Sequence, residues 1–343
     1  MREWIGFLGV VFLGCCAAGW AEELVWKTRT VEDWTKVLQQ SLEETRRPAM
    51  RDQWYAAYAL GQYGASAKSA VPVLCKRLRK DWGEDDYVRA AVALSLGEIG
   101  DLRAVRSLVE ELDSPYVAIQ RNTALALGML GETLKEKSPD GVPKLLTLLE
   151  SSPDRTVRAN AAVALWKIAR HAAVLPFLEQ ELASAKTLDV YQGASVVIAL
   201  ASLWSEEEKK RWTPLLIPPL ASRHPQEQDT ARICMEALLS LGETAIPELE
   251  KSLVDAREKK YRSRLVFLLG KMDNQVARKD FLLSIVQGAD TEEVRLAALR
   301  GLTSGCPERK EAIREAMVVL INNESTSAAM VHEATLVLKS LEE

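Results

Sequence analysis

Apolar residues recur three and four positions apart along much of the chain, the period of a helix that buries one face. Val88-Arg89 is followed by Ala93, Leu96, Gly97 and Gly100, and the same order returns as Ile119-Gln120 with Ala124, Leu127, Gly128 and Gly131. It returns again as Val157-Arg158 with Ala162, Leu165, Trp166 and Ala169, and in looser form earlier as Ala57, Leu60, Gly61 and Gly64. Self-similarity at a spacing of a few tens of residues predicts units that bury their apolar faces only against their neighbours. The expected fold is all-α, a right-handed α-solenoid of roughly eight or nine helical pairs.

Within a unit, the first helix carries closely spaced Ala and Leu, as in Ala91 to Leu96, and a glycine pair is expected to stop it through a left-handed backbone. The second helix is often opened by proline, as at Pro72, Pro143, Pro176, Pro218 and Pro247. Proline costs no hydrogen bond in a first turn, so these positions are expected to count the second helices. Units begin near Met50, Asp85, Tyr116, Asp154, Val190, Asp229, Tyr261, Glu293 and Ser327, the phrase blurring between about 190 and 290. Residues 22–49 read as a capping helix, opened by a capping box at Thr30-Val31-Glu32-Asp33, and the solenoid runs over 50–343 with Ala328 to Leu341 as its closing cap.

The first residues differ from the rest. Ile5 to Ala18 form an uncharged apolar stretch, and Gly19-Trp20-Ala21 places small residues where a signal peptidase reads, so 1–21 is expected to be a signal peptide. A lipoprotein reading at Phe12-Leu13-Gly14-Cys15 and an uncleaved anchor are the alternatives, and all three imply export to a periplasmic, envelope or extracellular site. Beyond the leader, Cys75, Cys234 and Cys306 fall in separate units, too far apart to bridge, and are expected to be buried free thiols. A net charge of -4 argues against general attraction to phosphate, so no nucleic-acid partner is expected.

The order Arg, Ala, Leu-Gly, Gly, short turn, Val-Pro and paired Leu resembles the HEAT repeat family, and most closely its bacterial subgroup of phycobilisome-lyase HEAT-like repeats. Ala57 to Leu74 and Val88 to Leu108 carry the resemblance best. Trp166, where the family usually has Gly, and Trp204-Ser205-Glu206, where a turn should fall, depart from it. The resemblance implies protein binding in most cases and chemistry in a few. Deoxyhypusine hydroxylase binds iron through repeated His-Glu pairs, but here His171 and His224 lack such a partner and only His332-Glu333 forms one. HEAT-like DNA glycosylases use a basic groove, whereas later second helices here are acidic. Phycobilin lyases act on a tetrapyrrole attached to a cysteine of their target.

No metal, cofactor or catalytic group is therefore expected, and membrane association only through the leader. The leading expectation is an exported, non-catalytic scaffold that binds a protein or peptide along the concave surface made by its second helices. A lyase- or isomerase-like enzyme acting on a bound cofactor is the alternative. The candidate partner-binding residues form a charge gradient, from basic Lys76, Arg77, Arg79 and Lys80 to acidic Glu110, Glu111, Glu179, Glu181, Glu248 and Glu250. Trp166, Trp204 and Trp212 are expected to fill the core rather than anchor a partner, and Arg89, Arg158 and Arg295 to serve structure by pairing with carboxylates or capping neighbours.

Overall fold

The computed structural model describes residues 29–43, 48–79, 86–131, 138–222, 224–272, 276–303 and 307–342. The leader, Lys80 and Cys306 lie outside them. The chain divides into two compact units, Met1–His171 and Ala172–Glu343, and each is an α-solenoid of HEAT-like helical pairs.

The first unit begins with α1 (Val31–Gln40), whose capping box forms as the sequence predicts: Asp33 N donates to Thr30 Oγ1 at 3.2 Å and Thr30 N to the Asp33 carboxylate at 3.1 Å. Buried Trp34 and Leu38 hold α1 on the first pair, α2 (Met50–Gln62) and α3 (Val71–Arg79). Then follow α4 (Asp86–Ile99), α5 (Val105–Glu111), α6 (Val117–Leu130), α7 (Gly141–Ser151) and α8 (Arg155–Ala169). First helices α2, α4, α6 and α8 pack in succession, and each second helix packs on the first helix that follows it. Leu60, Leu96, Leu127 and Leu165 of the first helices are fully buried, as are Leu74, Leu108 and Leu145 of the second. Each such side chain contributes about 1.5–3 kcal/mol of burial. Side-chain donors also tie each first helix to the one before: Ser95 Oγ to Ala57 O at 2.6 Å, Asn122 Nδ2 to Ala90 O at 2.8 Å and Asn160 Nδ2 to Arg121 O at 2.9 Å.

The glycine pairs divide their labour, which corrects the expectation that both stop the helix. Gly100 and Gly131 adopt φ of 70° and 71°, the turn that ends α4 and α6. Gly97 instead permits close approach, since a Cβ there would lie 2.6 Å from Ala126 Cα. Trp166 replaces the close-packing glycine in α8, and that helix ends on Arg170 in the left-handed region (φ 48°), its guanidinium 5.4 Å from the Trp166 ring.

The second unit contains α9 (Val174–Leu182), α10 (Thr187–Ala199), α11 (Glu206–Leu216), α12 (Gln228–Leu241), α13 (Ile246–Asp255), α14 (Lys259–Met272), α15 (Val276–Gln287), α16 (Glu292–Leu302), α17 (Lys310–Asn322) and α18 (Ala328–Ser340). Proline opens α9 and α13 but does not count the second helices. Pro218 lies in a 3-10 turn, Pro218–Ala221, after α11, and α11 itself starts from a capping box of Ser205 and Glu208. That turn packs between α12 and α14, where Arg264 of α14 donates to Leu220 O and, at 3.2 Å, to Ser222 O. The inserted turn is the physical reason the repeat phrase blurs here. Trp204 and Trp212 are buried and meet edge to face, 5.5 Å apart, with Trp204 Nε1 donating to Val197 O at 3.0 Å. Trp166 is buried too, so all three fill the core.

Candidate functional site

The recurring arginine position proves to be a cap on carbonyl groups at the end of the preceding second helix. Arg89 Nε donates to Leu78 O at 2.8 Å, Gln120 Nε2 to Ser114 O at 2.9 Å, Arg158 to Ser152 O at 3.1 Å and Arg295 Nε to Val286 O at 2.8 Å. Arg262 makes the same contact with Leu253 O at 3.4 Å and an ion pair with Asp290. A helix leaves its last carbonyls without partners and gathers negative potential there, so a cation satisfies both needs. These residues are structural.

The second-helix charges are placed as follows. Lys76 and Arg79 are exposed, whereas Arg77 is fully buried, its guanidinium donating to Gln53 Oε1 at 2.9 and 3.0 Å. Glu111 is buried against Arg89 at 2.7 Å, and Glu181 is buried as well. Arg77, Glu111 and Glu181 therefore do not face a groove, because each turns inward on its helix. The others pair: Glu110 with Arg79 at 2.8 Å and Arg106 at 3.1 Å, Glu179 with Arg211 at 2.7 Å, Glu248 with Lys251 at 3.5 Å and Glu250 with Arg278 at 2.5 Å. Within each unit the pairs Arg79–Glu110, Glu179–Arg211 and Glu250–Arg278 link successive second helices, α3 to α5, α9 to α11 and α13 to α15, whereas Arg106–Glu110 and Glu248–Lys251 lie within one helix. Partners of opposite charge alternate along the helices where a basic-to-acidic gradient was expected.

Two ionisable groups occupy the position after the close-packing residue of the phrase, Glu98 in α4 and Lys167 in α8. Burial raises the Glu98 carboxyl to about 7 and lowers Lys167 below the usual ammonium range. The Glu98 side chain lies across Gly61, where a Cβ would come within 2.0 Å of its Oε2. Burial likewise pushes the free thiol of Cys234 up to about 12, and the free thiol of Cys75 is half-buried. Such thiols are held protonated. Among the described residues no His, Cys, Asp and Glu cluster could hold a metal ion, and no helix is long and apolar enough to cross a membrane.

An aromatic recess was missed in the sequence. Arg51, Trp54 and Tyr55 of α2 and Tyr87 of α4 line an open hollow of about 280 Å³. Trp54 stacks on Tyr58 with ring centroids 5.5 Å apart and planes 2° apart, and meets Tyr55 edge-on at 5.2 Å and 81°. The signal was available: aromatic residues are 6% of the chain, yet three fall within Trp54 to Tyr58, two of them one helical turn apart.

Stacked helix pairs joined by a carbonyl-capping side chain give this chain the fold of HEAT-repeat arrays. Residues 35–128 and 105–201 match the family described as HEAT repeats. The chain is 28% identical over 135 residues to phycocyanobilin lyase subunit alpha of Picosynechococcus sp. (strain ATCC 27264 / PCC 7002 / PR-6), a stretch that is 38% of this chain and 46% of the relative. It thus spans under half the length of that relative. Among solved structures, the Kap95:Nup1 complex matches over 98% of this chain and 48% of that one, at 12% identity and a TM-score of 0.54. The complex of CpcE and CpcF of phycocyanin lyase from Nostoc sp. PCC7120 matches over 91% and 95%, at 18% identity and a TM-score of 0.34. The similarity to a lyase subunit overturns the non-catalytic scaffold expected from the sequence, and with it the expectation that the protein is not an enzyme. The repeat phrase carries fold information in every HEAT array, so it could not by itself separate a binder from an enzyme.

Proposed function

We propose that this chain is a lyase subunit of the phycobilin-lyase type, acting on the bond between an open-chain tetrapyrrole and a cysteine of a protein acceptor. The observation that supports this reading is the 135-residue similarity to phycocyanobilin lyase subunit alpha. A lyase makes such a bond by adding a thiol across a carbon-carbon double bond. The S–C bond forms, the thiol proton ends on the neighbouring carbon, and no electrons are gained or lost overall. The principal demand is to hold two large reactants in register, which converts an encounter into a near-unimolecular step. An array of helical pairs supports that role with its extended surface for a protein acceptor.

The test is a transfer assay. Purified protein is mixed with phycocyanobilin and a cysteine-bearing phycobiliprotein subunit, alone and with the companion subunit of a phycocyanin lyase added. Bilin that stays on the acceptor through a denaturing gel, in amounts that depend on this chain, is the expected result. The same adduct yield with and without the chain in both mixtures would refute the reading.

A further inference from the structure

We propose that the recess bounded by Arg51, Trp54, Tyr55 and Tyr87 is a binding site for a planar conjugated ring system that carries a carboxylate. Identifying that ligand as a bilin rests on the lyase reading above, whereas the chemistry of the recess stands on its own residues.

The aromatic wall is pre-ordered. Trp54 and Tyr58 sit one turn apart on α2 with their rings parallel, and Tyr55 meets Trp54 edge-on, so Trp54 is held from two sides. A face fixed in this way adds stacking energy without the entropy cost of ordering a loose side chain. Tyr87 comes from the first turn of α4, the next first helix of the stack, and is 40% exposed, so its ring forms an accessible boundary of the recess.

Charge defines the other half of the ligand. The Arg51 side chain is 80% exposed, and the carboxylate of Asp52 beside it lies 3.6 Å from Nε, beyond hydrogen-bonding distance. A guanidinium presents a planar fork suited to two parallel bonds with a carboxylate, so a ligand acid can occupy it at little cost. Size then limits the fit. Sites that enclose a drug-sized ligand run from about 300 to 1,000 Å³, and at about 280 Å³ this one receives the end of an extended conjugated molecule, with the remainder over the rim. One or two rings of an open-chain tetrapyrrole and one propionate meet that description.

Titration of the full chain with biliverdin, followed by induced visible circular dichroism, tests the site. Saturable binding is expected, weakened about tenfold by W54A and about tenfold by R51A. Biliverdin dimethyl ester has the same rings without free carboxylates, so R51A should leave its affinity unchanged while W54A weakens it. W54F preserves a stacking face and should restore most of the binding, which guards against a folding defect in W54A. No induced signal with wild-type protein, or binding by both alanine variants equal to wild type, overturns the site. Wild-type binding that survives in both variants would leave the lyase reading in place. A failed transfer assay with intact, Arg51-dependent binding would refute the lyase and keep the recess.

Discussion

Arg89 and Glu111 form an ion pair at 2.7 Å with both side chains almost withdrawn from solvent, 6% and 10% exposed. The same guanidinium donates to Leu78 O, so one side chain joins the end of α3, the start of α4 and the last turn of α5. Both charges have lost hydration, and their stability depends on each remaining in place.

R89A should therefore lower unfolding free energy by about 3–5 kcal/mol, because it removes the buried guanidinium that bonds both Glu111 and the Leu78 carbonyl. R89A combined with E111A should cost less than the two single changes added together. Urea unfolding of the four species measures this, and strict additivity would mean that the pair is not coupled.

The glycine pair separates steric from conformational cost. G97A places a methyl 2.6 Å from Ala126 Cα in the adjoining helix, so α4 and α6 must move apart. G100A meets nothing within 4 Å but adopts φ of 70°. Overpacking costs about 1–3 kcal/mol, more when backbone must shift, and a non-glycine residue at positive φ about 1 kcal/mol. G97A should melt below G100A, and the reverse order would contradict the assigned roles.

Glu98 gives a pH signature. Its folded pKa, about 7, lies above the 4.5 of a solvated glutamate, so the folded state binds the extra proton and stability falls as pH rises from about 4.5 to 7. The penalty is complete above pH 7, on the order of 3 kcal/mol, and absent below pH 4. E98Q should therefore raise Tm at pH 8 and leave it unchanged at pH 4. An equal effect at both values would mean that burial does not raise the pKa of this carboxyl.

Exposed ladder pairs should matter little. R79A removes one end of a contact whose partners are 48% and 44% exposed, and Glu110 retains Arg106. A loss below about 1 kcal/mol, shrinking further in high salt, is expected by denaturation.

The helical pairs were legible wherever packing is regular, because Leu60, Leu96, Leu127 and Leu165 meet the same environment in each layer. Where the 3-10 turn Pro218–Ala221 enters between α12 and α14, that equivalence is lost and so is the phrase. The roles of Arg89, Arg158 and Arg295 were readable as structural. Which second-helix charges face outward was not. Arg77 and Lys76 are neighbours in sequence and opposite in burial, so a run of charges gives no facing until the helix phase is known. The aromatic recess depends on Tyr87 of α4 meeting residues of α2, a proximity that only stacking creates.

The most direct test is turnover. With the protein limiting, and bilin, cysteine-bearing acceptor and companion subunit in excess, the number of thioether-linked bilins formed per chain is counted after denaturation. The lyase reading predicts several per chain, rising with time until substrate is consumed. A plateau at or below one, or accumulation no faster than without the chain, would contradict it.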